Sequence, residues 1–149
     1  MTRKEKVMVF NIENHFGEPR EVKPRVGLYQ VKDLMGKEMP GLAIMMVDTT
    51  TSEGVVVVTK SFGEMIGMKD CAYIDINNCP FATRFLDEGY AEDTGLYKNS
   101  GFCKYPLWHF KEDFLNEIGG NDYKKYSEAM KKYFDINIDE GEDLSMGGM

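Results

Sequence analysis

The chain has 149 residues, 42% hydrophobic and 29% charged, which fits one soluble globular domain with its own core rather than a disordered chain. No apolar run approaches the roughly 18–20 residues that span a bilayer, and the opening "MTRKEKVMVFNIENHF" lacks the long apolar region and small-residue cleavage site of a signal peptide. A net charge of −7 disfavours nucleic-acid binding through a basic face, which needs clustered Lys and Arg.

In chain order, "KVMVFNI" (6–12) is β-branched and aromatic and predicts a strand, and Gly17, Pro19 and Pro24 predict a loop. "VGLYQVK" (26–32) is a second strand, and "KEMPG" (37–41) a turn on Pro40-Gly41. "LAIMMVD" (42–48) and "GVVVVTK" (54–60) are apolar runs joined by "TTTSE", the pattern of a buried hairpin. "CAYIDI" (71–76) is the fifth strand.

Helical signals dominate the second half. Pro80 suits a first helical position, Phe81 and Phe85 share a face, and Gly89 closes that short helix. From Trp108 onward, Phe110, Phe114, Leu115 and Ile118 follow a helical stripe that Gly119-Gly120 ends. Asn121 caps a further helix with Tyr123, Tyr126, Met130, Tyr133 and Phe134 on one face, a stripe typical of a core. Residues 136–149 are acidic and glycine-rich and are expected to form a flexible tail. The expectation is one α+β domain over 1–135: a mostly antiparallel sheet of about five strands, then two or three C-terminal helices.

The cysteines offer the first candidate site. Cys79 in "NNCPF" and Cys103 in "GFCKYP" sit in matching surroundings, each followed closely by a proline, so the two segments are expected to meet in space. Cys79, Cys103 and His109 form a candidate zinc set suited to a cytoplasmic chain, with buried thiols acting as small hydrophobes as the competing reading. A disulfide requires an oxidising compartment. Cys71 falls at the far end of its strand, and the spacing lacks a CxxC pair. Asp75, Asn77 and Asn78 read as turn residues rather than ligands for a hard cation, and His15 reads as a surface loop residue.

There is no GxSxG, GxGxxG or GxxxxGK[ST], so no catalytic residues are assigned and no enzyme is expected. Charge is unevenly spread. Residues 1–37 hold eight bases and five acids, whereas residues 64–96 hold seven acids and two bases. Glu64, Asp70, Asp87, Glu88, Glu92 and Asp93 are therefore the candidate contact surface for a basic protein partner.

The stretches "GLAIMMVD", "AYIDINNCP" and "SGFCKYPLWHF", between Gly41 and about Phe110, resemble a family of short bacterial proteins with one domain of unknown function, carried on phages and mobile elements. Cys79, Cys103, Tyr105 and Pro106 sit on its pattern; Cys71 and His109 do not. The resemblance carries no agreed activity and implies an accessory protein of a mobile element. With the charge pattern, it leads to the expectation of an anti-CRISPR-like inhibitor in the host cytoplasm, which blocks a CRISPR effector or other defence nuclease without catalysis or direct nucleic-acid contact. The alternative is a nucleotide-binding sponge or minor enzyme whose pocket is an aromatic 90–110 loop of Tyr90, Tyr97, Phe102, Tyr105 and Trp108.

Overall fold

A computed structural model of the protein describes the backbone of residues 8–13 and 16–147, with side chains up to residue 135. The start of the expected first strand, His15 and the side chains of the acidic tail lie outside the described residues. The chain is α+β, as expected, with two antiparallel four-stranded sheets rather than one sheet of five strands. The first has the order β1 (Phe10–Glu13), β2 (Pro19–Lys32), β3 (Glu38–Asp48), β4 (Gly54–Val57). The second runs β5 (Thr59–Lys60), β6 (Cys71–Ile74), β8 (Cys103–Phe110), β7 (Ala91–Ser100). Between β6 and β7 lie a single 3-10 turn, Pro80–Ala82, and the short helix α1 (Thr83–Asp87). Helix α2 (Glu112–Gly147) follows, kinked at Gly120.

The strand β2 alternates as a half-buried strand should, with Val22, Pro24 and Val26 buried and Glu21, Lys23 and Arg25 exposed. Its hairpin with β3 turns at Asp33, not at Pro40-Gly41. Asp33 Oδ1 accepts from the backbone N–H of Met35 at 2.9 Å and of Lys37 at 2.8 Å, and Gly36 takes a φ of +83°. Pro40 instead lies in β3 opposite Gln30, on a stretch that β4 does not reach, so no sheet neighbour is denied a donor. Pro24 likewise lies beyond the β1 pairing, and Pro19 opens its strand.

The apolar run 54–60 is divided between the sheets at Val58. Its N–H donates to Ile44 O in the first sheet, and its carbonyl accepts from Asp75 N just beyond β6 in the second, each at 2.8 Å. A single core joins both sheets and the helices, including Val22, Val26, Ile44, Met46, Ile74 and Trp108. Phe85 of α1 meets Phe110 and Phe114 with ring centres 5.8 and 5.7 Å apart, which ties α1 and α2 to the inner face of the second sheet. Trp108 and Phe110, expected to begin a helix, belong to β8, and α2 starts only after them.

Candidate functional site

The two cysteine-bearing segments do meet. Asn77 Nδ2 donates to Lys104 O at 3.4 Å, continuing the approach of β6 to β8. Their sulfurs face different surroundings. Cys79 is fully buried ahead of the 3-10 turn, with Sγ 3.6 Å from Val57 O. Cys103 is half-buried at the start of β8, two residues before Tyr105. His109 lies six residues further along that same strand, about 20 Å away at strand rise, opposite Cys71 and Glu92. Cys103 and His109 therefore cannot share an ion, which corrects the expected zinc set of Cys79, Cys103 and His109. Among the described residues no three His, Cys, Asp or Glu side chains converge on a metal-sized space. Burial pushes the thiols of Cys71 and Cys79 up to about 11, with Asp70 and Asp75 respectively adding to the rise. Both are thiols at neutral pH, poor as nucleophiles or ligands.

The six expected surface acids divide five to one. Asp87 and Glu88 end α1, and Glu92 and Asp93 open β7, all four exposed within seven residues. The backbone beneath them is firmly held, with Tyr90 N donating to Phe85 O and Lys111 N to Tyr90 O. Glu64 is also exposed, but pairs with Lys98 at 2.8 Å towards the far end of β7. Asp70 is the correction: it is only 5% exposed and cannot present a contact surface.

Asp70 works inside the molecule. Its Oδ1 accepts from the Tyr123 hydroxyl at 2.8 Å, Lys69 Nζ lies 3.1 Å from Oδ2, and its own N–H donates to Tyr126 Oη at 2.8 Å. Burial, then the Asp70 carboxylate, raises the Tyr123 hydroxyl well above the ordinary tyrosine value. Asp70 adopts a φ of +68° to make these bonds, and its carbonyl accepts from Phe110 N. The network clamps α2 to β6 and β8. Tyr123 and Tyr126, three apart on a helical face, were readable from sequence as a pair; nothing around "MKDC" marked Asp70 as their partner.

The five aromatic residues of the 90–110 segment do not form a pocket. That segment is the β7–β8 hairpin, and its rings scatter over both faces and the tip. Trp108 is in the core, Tyr90 packs on Phe114 with ring centres 4.6 Å apart, and Phe102 is fully exposed at the tip. Tyr105 instead joins a cluster that sequence reasoning missed. Phe62 sits 5.4 Å from the Tyr73 ring and 5.6 Å from the Tyr105 ring, with Lys98 Nζ 4.8 Å and Lys60 Nζ 5.9 Å from its centre. The Glu64 carboxylate holds the Lys98 ammonium above the ordinary lysine value. Only the strand pairings bring these residues together, so no local sequence pattern could have announced them.

No curated protein and no solved structure matches this chain. One family model does, across residues 30–134, from β2 well into α2, and so covers both halves of the Asp70 clamp and the whole Phe62 cluster. On that match the chain belongs to the family described as Domain of unknown function (DUF4313).

Proposed function

We propose that this protein is a non-catalytic inhibitor that docks on a basic protein surface, such as the nucleic-acid channel of a host defence nuclease of the CRISPR-effector kind. The observation that carries the reading is the ledge of four exposed carboxylates, Asp87, Glu88, Glu92 and Asp93, at the junction of α1 and β7. A fixed cluster of like charge speeds encounter with an oppositely charged groove and sets the docking orientation. Preorganisation helps, because the ledge rests on the Phe85–Phe110–Phe114 packing and pays little ordering entropy on binding. Glu64 and Glu88 contribute less, being already paired with Lys98 at 2.8 Å and with Arg84 at 2.7 Å. A phage or mobile element, the context that the resemblance read from the sequence implies, is the proposed setting of such an inhibitor.

The test is DNA cleavage by a panel of RNA-guided and restriction nucleases, with this protein added in equimolar amount over a range of salt. Inhibition of one of them is expected, weakening with salt and lost in a Glu92→Lys/Asp93→Lys variant that keeps its thermal stability. Undiminished cleavage across the panel discards the reading.

A further inference from the structure

The outer face of the second sheet carries a different chemistry. Directly paired residues in antiparallel strands point to the same side. The pairs Lys60–Tyr73, Tyr73–Leu107 and Lys98–Tyr105 therefore place lysine, tyrosine, tyrosine and lysine in one band from edge strand β5 to edge strand β7. At the ordinary strand spacing the band is about 14 Å wide. Ala72, Trp108 and Phe110 point the other way, into the core. Phe62 lies on the two tyrosines, and both band lysines have their ammonium within 6 Å of its ring centre. On the reverse face of the same hairpin, Lys104 Nζ stands 4.0 Å from the Tyr97 ring centre.

The charge is segregated as well. Residues 94–111 contain Lys98, Lys104 and Lys111 and not one acid, in a chain whose net charge is −7. Bulk charge, the ground for expecting no contact with nucleic acid, says nothing about a face built this way. We infer that this face binds single-stranded nucleic acid, with bases stacking at the half-buried Phe62 and Tyr73 rings, which the buried Tyr105 supports from beneath, and phosphates taken by Lys60 and Lys98. Stacking rings interleaved with cations are what a sequence-tolerant single-strand site requires. A duplex keeps its bases away from such rings. The Glu64 carboxylate, 2.8 Å from Lys98 Nζ, competes with phosphate and acts as a brake, and Asp75 adds negative charge near Tyr105. The inference goes beyond the inhibitor reading and does not depend on it.

The experiment is fluorescence anisotropy of a labelled oligodeoxythymidine of about 12 nucleotides, titrated with the full-length protein at low salt. Saturable binding is expected, with a log–log salt slope between about −1 and −2, near −0.7 for each lysine–phosphate contact. Phe62→Ala and Lys98→Ala should each weaken binding ~10-fold, Lys98→Arg should restore it, and Glu64→Gln should tighten it several-fold. Thermal melts of each variant establish that the fold is kept. Absence of saturable binding, equal binding of a duplex of the same length, or indifference to Phe62→Ala and Lys98→Ala in folded protein overturns the inference. Capture by phosphatidylserine vesicles without oligonucleotide binding overturns it too, and assigns the face to a membrane surface. No nuclease is present, so this outcome is independent of the inhibition assay.

Discussion

Burial gives the three cysteines unequal chemistry. Cys71 and Cys79 are enclosed and carry thiol values of about 11, whereas Cys103 is half-exposed at a strand end. Titration of the native protein at pH 8 with a thiol-reactive disulfide should release one rapid equivalent, abolished by Cys103→Ser, and three equivalents in denaturant. Rapid reaction of two or more thiols in the folded protein would contradict this. Asp48 shows the opposite effect on a carboxylate. Backbone N–H groups of Thr51 and Thr50, and then Arg20 at 2.7 Å, hold its value below the ordinary range. A lowered folded value means the stabilisation is complete above the unfolded value near 4 and disappears as pH falls through the folded one. Asp48→Asn should therefore lower the melting temperature at pH 7 and narrow its gap from the parent protein as pH drops below about 4. A constant gap across that window would show that Asp48 does not titrate as described.

Elements were legible where periodicity was strong and misread where proline was taken as punctuation. The cores of β2, β3 and β6, the closing role of Gly89 and the stripe from Phe114 to Phe134 all followed from sequence pattern. Pro19, Pro24 and Pro40 suggested loops, yet each occupies a strand position with no neighbour awaiting its missing donor, a fact only the sheet order reveals. The hairpin β7–β8 was missed because β7 is almost wholly exposed and lacks the apolar alternation that marks a half-buried strand. Gly119-Gly120 read as the end of a helix, and it is a kink: Gly120 sits at φ +52°, ψ −142°, and α2 resumes. That conformation is strained for any residue with a side chain, so Gly120→Ala should cost about 1–3 kcal/mol, read as a lower denaturant midpoint at unchanged slope. No loss of stability would mean that the helix can straighten without breaking the Asp70 clamp.

Across the whole molecule, the candidate site was the least legible part, since it is assembled by pairing rather than by local spacing. The sequence put Glu64 and Asp70 in one acidic group, whereas folding gives one to a lysine on β7 and the other to two tyrosines of α2. The acidic ledge and the lysine–aromatic band share strand β7, where Glu92 and Asp93 lie at its start and Lys98 towards its far end. One further consequence follows from the place where the chain passes between sheets. Because Val58 gives its donor to one sheet and its acceptor to the other, it works as a rivet through two plates. A break in the polypeptide there would loosen both plates at once, so neither half of this protein is an independent module that recombination could shuffle elsewhere.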